Sequence, residues 1–161
     1  MGEAAVVDAS PLIYLAHAEL IHLLQLASPR ILVTTTVSRE IRRRGAADPT
    51  VQILEKTPWL EEVEPGPDSP RVALWALGPG ETSVLSWALA HPGCLAVLDD
   101  LAGRRCAETL EIPLIGTLGL VLRAKRMGDL SAARPVVEKL REAGMYLSES
   151  VLSRALALVG E

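Results

Sequence analysis

Short apolar runs that alternate with helical stretches constrain the fold of this chain more than any other feature. Residues 4–7, 31–34 and 95–98 consist almost entirely of Ala, Val, Leu and Ile. Unbroken runs of this length suit strands that are buried on both faces, as in a parallel sheet. Residues 113–115 read as a further strand, and residues 59–63 as an edge strand or an extended connection.

Helical spacing and capping residues place helices between these runs. Ser10 and Pro11 suit the start of a helix that carries apolar residues as far as Leu24. Residues 65–70 are a Pro- and Gly-rich loop. Further helices are predicted over residues 36–44 (closed by Gly45), from Asp48-Pro49, and over residues 79–90, 102–110, 118–127, 132–143 and 148–158. Strands and helices in this alternation predict an α/β fold, a doubly wound parallel sheet with helices on both faces.

The length of 161 residues fits one domain. We expect a single domain over residues 1–161, with a core over about residues 4–128. The helices over about residues 131–159 look like an appendage, which packs on the core or carries a dimer contact.

Composition excludes several classes of protein. A hydrophobic content of 49% excludes intrinsic disorder. From the residues at its start we expect no signal peptide, and the sequence has no run of about 20 apolar residues that could span a bilayer. Cys94 and Cys106 are too few for a disulfide framework or a zinc site, so a reducing cytoplasm is the default location. The net charge of −4 argues, at first sight, against a general nucleic-acid binder.

Two predicted strands end in aspartate: Asp8 follows the first, and Asp99 and Asp100 follow the strand over residues 95–98. Ligands of open parallel sheets bind outside the carboxyl ends of the strands. Asp8 could instead be a turn or cap residue, although Ser10 can do that capping. One member of the Asp99-Asp100 pair can cap the next helix, and the other then lacks a structural reason.

Two glutamates lie near helix starts and extend this acidic set. Glu40 could instead be a solvated residue paired with Arg44, and Glu81 an acid favoured at a helix N-terminus. Four or five carboxylates at one sheet edge would repel each other unless a cation lay among them. Oxygen ligands without a His or Cys cluster favour Mg²⁺ or Mn²⁺, and such a site suits phosphodiester hydrolysis.

At this point the sequence resembles a known family. Residues 6–13, VVDASPLI, look like the opening motif of PIN-domain nucleases, which include VapC-type toxins. Residues 78–82 (GPGET), 98–100 (LDD) followed by 104–105 (RR), and 115–119 (IGTLG) resemble a prokaryotic nucleic-acid-binding PIN branch of poorly defined function. The order and spacing of these motifs cover nearly the whole chain.

The resemblance implies a PIN-like α/β/α sandwich and a metal-dependent ribonuclease acting on single strands. The acids it implies for catalysis are Asp8, Glu40, Glu81, Asp99 and Asp100, and the implied metal ligands are Asp8, Glu81 and Asp99 or Asp100. The register between Asp99 and Asp100 stays open. Ser10 and Thr117 are the implied supporting residues. Glu81 and the segment over residues 116–119 depart from the VapC pattern, which bears on toxin status more than on nuclease chemistry.

Clustered arginines flank two of these acids and are candidates for holding an RNA backbone, because guanidinium groups suit bidentate phosphate contacts. The alternative is that each cluster is a solvated helix face. The candidates are Arg39, Arg42, Arg43, Arg104 and Arg105.

The leading functional hypothesis is a Mg²⁺- or Mn²⁺-dependent endoribonuclease, a VapC-like toxin that is cytoplasmic and homodimeric and has a cognate antitoxin. The alternative is a non-catalytic nucleic-acid-binding or protein-interaction module that keeps the PIN fold, for which a missing acid would be the sign. A haloacid-type phosphatase would need an aspartate two residues after Asp8, where Ser10 stands. The sequence therefore predicts an acidic pocket rimmed by arginine, despite the negative net charge.

Overall fold

Five short parallel strands form the centre of the computed structural model, which describes residues 2–161. Met1, the first residue of the predicted domain, lies outside the described residues. The strands are β1 (Ala4–Val7), β2 (Arg30–Thr34), β3 (Leu60–Val63), β4 (Leu95–Val97) and β5 (Leu114–Ile115). Every residue of β1 and β2 after the first is buried, as expected for strands covered on both faces.

The strand order in the sheet is β3-β2-β1-β4-β5, and every neighbouring pair is parallel. Val6 pairs with Leu32 on one side and with Ala96 on the other, which places β1 at the centre. The predicted doubly wound parallel sheet, a PIN-like α/β/α sandwich, is confirmed. The order reverses between β1 and β4, and crevices of this kind at the carboxyl ends of strands are where α/β proteins bind ligands.

Helices follow the strands and cover the sheet. They are α1 (Ala9–His17), a 3-10 helix (Ile21–Leu26), α2 (Thr35–Arg42), α3 (Pro49–Lys56), α4 (Pro70–Ala73), α5 (Pro79–Ala90), α6 (Leu101–Thr109), α7 (Thr117–Met127), α8 (Arg134–Glu142) and α9 (Glu149–Ala157). Side chains cap several of them, with Thr34 accepting a hydrogen bond from the Val37 amide and Asp48 from the Thr50 amide. Within residues 2–161, no helix is both long enough and apolar enough to cross a membrane.

Two local expectations were wrong. The first helix ends at His17 rather than near Leu24, because Glu19 adopts a left-handed backbone with φ of 60° and the chain continues as the 3-10 helix. A non-glycine residue rarely takes this conformation, so the sequence gives no warning of the break. The short helix α4 also begins at Pro70, the last residue of the predicted loop.

The C-terminal helices pack on the α/β core rather than standing apart from it. Both α8 and α9 contact α7, and α8 also contacts α1. They bury Leu140, Leu152 and Leu156 completely or almost completely. Burial of this kind removes apolar surface from water and is worth roughly 1.5–3 kcal/mol for each such side chain.

Candidate functional site

The predicted acids gather where the strand order reverses. Asp8 follows β1, and Asp99 and Asp100 follow β4 after Leu98. The Asp8 amide donates a hydrogen bond to the Val97 carbonyl at 2.9 Å, which extends the pairing of the two strands up to Asp8. The central strands thus deliver aspartates from adjacent positions to the same edge of the sheet.

Glu40 and Glu81 approach Asp8 from two helices, α2 and α5. They line, with Asp8, a cleft of about 360 Å³. A Cβ placed on Gly80 would lie 2.6 Å from Glu40 Oε2 and 3.6 Å from Asp8 Oδ1. Glycine at this position therefore leaves the space in which these two carboxylates meet.

A second glycine separates Glu81 from Asp100. A Cβ on Gly103 would lie 3.4 Å from Glu81 Oε2 and 3.9 Å from Asp100 Oδ2. Asp100 also caps α6, since its Oδ2 accepts a hydrogen bond from the Gly103 amide at 3.1 Å. The expectation that one member of the aspartate pair is a helix cap is therefore met by Asp100.

Asp99 is held by Thr117, the first residue of α7. The Thr117 amide donates to Asp99 Oδ1 at 2.8 Å, and the Thr117 hydroxyl donates to Asp99 Oδ2 at 2.6 Å. Both carboxylate oxygens are thus fixed by one fully buried residue. Thr117 supports Asp99 directly.

Asp8 has a different environment from the other acids. It occupies the N-cap position of α1 and is only 4% exposed, yet its side chain makes no capping hydrogen bond. Burial raises the pKa of Asp8 to about 7; the Ala9 amide acts in the opposite direction, and the charges of Glu81, Glu40 and Asp99 raise the pKa further. An ionised Asp8 is therefore costly in the absence of a nearby cation.

The expectation that Ser10 could cap the first helix was wrong. The helix begins at Ala9, one residue earlier, so Ser10 lies in its first turn and lines the cleft beside Asp8. The sequence pair Ser10-Pro11 suits a cap, but the β1 strand ends directly at Asp8, and this leaves Asp8 as the boundary residue.

The same crowding affects the groups around Asp8. The pKa of Glu81 is raised by partial burial and by the charges of Asp100 and Glu40. The pKa of Tyr14 is also raised, by partial burial and then by the charge of Asp99. The cluster is a set of like charges whose mutual repulsion a cation would relieve.

The arginines divide into those in the cleft and those held elsewhere. Arg39 and Arg43 line the cleft with the acids. Arg42, on the same helix, makes a bidentate pair with Glu62, its closest N–O distance being 3.1 Å. The structure thus does not bring Arg42 into the cleft. The pairing of Arg44 with Glu40, considered from the sequence, is wrong.

Arg44 pairs with Asp48 instead, at 2.8 Å. Arg104 lies next to the acids: a Cβ on Gly116 would lie 2.5 Å from Arg104 Nη1 and 2.9 Å from Asp99 Oδ1. Arg105 is exposed on α6 and lines neither the cleft nor the surface around Asp99.

The family model for the PIN domain matches residues 4–161, almost the entire chain. The chain belongs to the PIN-domain family. The resemblance inferred from the motifs is therefore confirmed, and the PIN domain is a nuclease-type fold. A comparison with functionally curated proteins finds no match to this chain.

The acids of this PIN domain do not form a ready-made metal cage. Within residues 2–161, no group of three or more His, Cys, Asp or Glu side chains is arranged closely enough to hold a metal ion. Asp99 and Asp100 each accept hydrogen bonds from protein partners, and carboxylates lie in pairs beside Gly80 and Gly103. The all-oxygen donor set and the destabilised charge of Asp8 nevertheless fit a hard divalent cation.

Sequence reasoning missed Tyr14 and Gly103 as members of the site of this PIN domain. Tyr14 lies on α1 with no motif to mark it, and only the fold brings it near Asp99. Gly103 could have been noticed, because it stands three residues after Asp100, at the position whose amide donates a capping hydrogen bond. Gly80 and Gly116 were within the motifs that carried the resemblance.

Proposed function

We propose that this PIN domain is a divalent-metal-dependent endoribonuclease that hydrolyses RNA phosphodiester bonds. One observation carries the proposal: the buried Asp8 has a pKa raised to about 7 within a cleft that Glu40 and Glu81 share. An unpaired buried carboxylate lowers the stability of the fold, because burying a charge without a partner is costly. A purely structural role would be served better by a neutral side chain or by a paired carboxylate. Perturbed carboxylates in a cleft are a mark of functional sites.

Each acid has a role in this proposal. Asp8, Glu81 and the Asp99-Asp100 pair would hold the cation, and Glu40 would act as a catalytic acid beside it. Thr117 keeps Asp99 in one orientation through both of its oxygens. Bound Mg²⁺ or Mn²⁺ would lower the pKa of water and stabilise negative charge on the phosphodiester.

Arg39 and Arg43 would hold the phosphate next to the scissile bond. Both line the cleft together with Glu40, and a guanidinium forms two parallel hydrogen bonds to a phosphate. Two cations beside an acidic pocket also explain how a chain of net charge −4 can bind a polyanion locally. Arg104, adjacent to Asp99 at the end of β4, is a further candidate for a phosphate contact.

The test is an RNA-cleavage assay with Mn²⁺ and with EDTA, comparing the unchanged chain with Asp8→Asn. We expect cleavage only with Mn²⁺ and a loss of at least about 100-fold in the variant, because a metal ligand or general base contributes at least that much. Asp68→Asn, in the exposed loop before α4, is the matched control and should retain full activity. Cleavage in EDTA, or cleavage that survives Asp8→Asn, would contradict the proposal.

The finer assignments rest on the VapC resemblance. We propose a toxin role with a cognate antitoxin, a homodimer, and a cytoplasmic location, the last supported by two buried free thiols at Cys94 and Cys106. Co-purification with the product of an adjacent small reading frame tests the antitoxin. Growth arrest on expression, relieved by that product and by Asp8→Asn, tests the toxin role.

A second candidate is a nucleic-acid-binding or protein-interaction module that keeps the PIN fold without catalysis. The specific observation in its favour is that, in the part of the chain the structure describes, no three acids are preassembled around one point. RNA binding without cleavage in Mg²⁺ or Mn²⁺, unaffected by Asp8→Asn, would select this candidate.

A further inference from the structure

A second groove, of about 660 Å³, begins beside the acidic cluster that Asp8, Glu40, Glu81, Asp99 and Asp100 form. Asp99 and Arg104 line one part of it, and it continues along α7 and α9 to the segment that joins α8 to α9. Leu118 and Leu122 of α7 and Tyr146 of the joining segment contribute to its lining. The groove is thus continuous with Asp99, one of the acids assigned to the cation.

Exposed apolar side chains are concentrated along this groove. Leu101 is 61% exposed, Leu158 66%, Val151 38% and Tyr146 89%, and all four line it. Isolated exposed apolar residues need no explanation, but a contiguous group marks an interaction site. Tyr146 is the most exposed of the four, and its position outside any helix or strand leaves its ring accessible.

The charges of the groove are those that suit a polyanion. Its charged lining residues are Asp99, Arg104 and Arg154. Across residues 2–161, neither of these arginines takes part in an ion pair, and Arg154 Nε donates only to the Ser150 carbonyl, at 3.4 Å. Two guanidinium groups that form no ion pair among the described residues, Arg104 near Asp99 and Arg154 on α9, therefore flank an apolar surface beside the proposed cleavage site.

We propose that this groove binds a nucleobase of single-stranded RNA next to the scissile phosphodiester, with Tyr146 as the stacking surface and Arg104 and Arg154 against the flanking phosphates. The proposal rests on the ribonuclease function proposed above. A strand whose phosphate reaches the acidic cluster must place its neighbouring nucleotides on the adjoining surfaces, and this groove adjoins Asp99.

A nucleotide fits these features better than a protein helix does. Proteins bind unpaired bases by stacking them on aromatic rings and guanidinium planes, and they contact the phosphates with arginine. An apolar protein surface would fill the groove equally well, but it would supply no phosphate or other anion to Arg104 and Arg154. The combination of Tyr146, two arginines and continuity with Asp99 favours RNA.

The test measures the affinity of a fluorescein-labelled single-stranded oligoribonucleotide by fluorescence anisotropy, in an Asp8→Asn background that keeps the RNA intact. We expect Tyr146→Ala to weaken binding roughly tenfold, in line with the loss of one stacked base. Tyr146→Phe keeps the ring and should bind within about twofold of the unchanged background. In the cleavage-competent chain, Tyr146→Ala should raise KM and leave kcat unchanged, as expected for a uniform binding contact.

Met127→Ala is the matched control, because Met127 is another exposed apolar residue and lies at the far end of α7 from Thr117. It should leave RNA affinity unchanged. Equal affinities of Tyr146→Ala and its background would overturn the proposal. A change in the molecular mass of the protein caused by Tyr146→Ala, measured by light scattering while RNA affinity stays the same, would also overturn it. The groove would then be a protein interface.

The two proposals fail in different ways. Mn²⁺-dependent cleavage that is unaffected by Tyr146→Ala leaves the ribonuclease in place and removes the nucleobase subsite. Absence of both RNA binding and Mn²⁺-dependent cleavage in the unchanged chain removes both.

Discussion

The two sides of the acidic cluster differ in how the protein treats its carboxylates. On the β4 side, Asp99 and Asp100 accept hydrogen bonds from Thr117 and Gly103. On the β1 side, Asp8 is buried without a capping hydrogen bond, and its pKa rises to about 7. On the β4 side, hydrogen bonds within the fold hold the carboxylates in place. On the β1 side, the buried charge of Asp8 destabilises the folded chain, and a bound cation would remove that destabilisation.

The largest expected effect is a change in the free energy of unfolding when Asp8 can no longer ionise. Because its folded-state pKa is about 7 against 3.8 in the unfolded chain, the stability that Asp8 contributes is present below about pH 4 and lost as the pH rises through 7. The metal-free Asp8→Asn variant cannot ionise there and should be more stable than the unchanged chain at pH 8, by up to about 4 kcal/mol.

Urea unfolding at pH 5 and pH 8 measures this difference, which should shrink at the lower pH. Asn is also a good N-cap residue, so the substitution does not remove the start of α1. Asp68→Asn serves again as the control and should show no such pH dependence. An Asp8→Asn variant less stable than the unchanged chain at pH 8 would show that the ionised Asp8 carboxylate does not destabilise the fold.

The opposite sign is expected on the β4 side. Asp99→Asn replaces one accepting oxygen by a donor that faces Thr117, and lost hydrogen bonds to a charged group cost about 1.5–3 kcal/mol. Thr117→Val removes only the hydroxyl and should cost less. Urea unfolding at pH 8 decides the point: if Asp99→Asn stabilised the chain as Asp8→Asn does, the two sides would not differ.

An intermediate effect is expected at the glycine between the acids on the β1 side. Ala at position 80 would place its Cβ 2.6 Å from Glu40 Oε2. Glu40 can rotate away at little cost in stability, but its negative charge then no longer stabilises the cation that the neighbouring acids would hold. Calorimetric titration with Mn²⁺ should show affinity for Gly80→Ala reduced by about tenfold, or 1.4 kcal/mol.

Gly78→Ala is the matched control two residues earlier, since a Cβ there meets nothing within 4 Å. It should bind Mn²⁺ as the unchanged chain does. Equal Mn²⁺ affinities of the two glycine variants would mean that the close approach at Gly80 does not position the acids.

The smallest effect concerns two arginines on one helix. Arg39→Ala should weaken single-stranded RNA binding a few-fold and lower the salt dependence of log affinity by about 0.7, the value for one phosphate contact on a single strand. Arg42→Ala should change neither quantity, because Arg42 is paired with Glu62 outside the cleft. Anisotropy titrations over a range of salt concentrations test the pair, and equal effects would remove the distinction.

Much of the fold could be predicted from the sequence, because its signals are local. The apolar runs mark strands, and Pro79 and the apolar spacing after it predict α5 with its observed bounds. The break after His17 was missed because Glu19 takes a left-handed backbone, which a non-glycine residue rarely adopts.

The acids of the site could be proposed from their positions after strands and in the first turns of helices. The different environments of these acids could not be predicted from the sequence. Both Asp99 and Asp100 suit a cap in sequence, and the partner that distinguishes them, Thr117, lies 18 residues away. Likewise, the separation of Arg42 from Arg39 depends on Glu62, which β3 brings alongside only in the folded chain.

The most direct test of the central claim, that the acidic cluster is a divalent-cation site dependent on Asp8, is the thermal midpoint of unfolding at pH 8 as Mn²⁺ is added. At 100 times the dissociation constant, binding to the folded state adds about 2.7 kcal/mol, which corresponds to a rise of roughly 5–10 °C for a chain of this size. We expect that rise in the unchanged chain and in Asp68→Asn, and little or none in Asp8→Asn. No rise in the unchanged chain, or the same rise in Asp8→Asn, would contradict it.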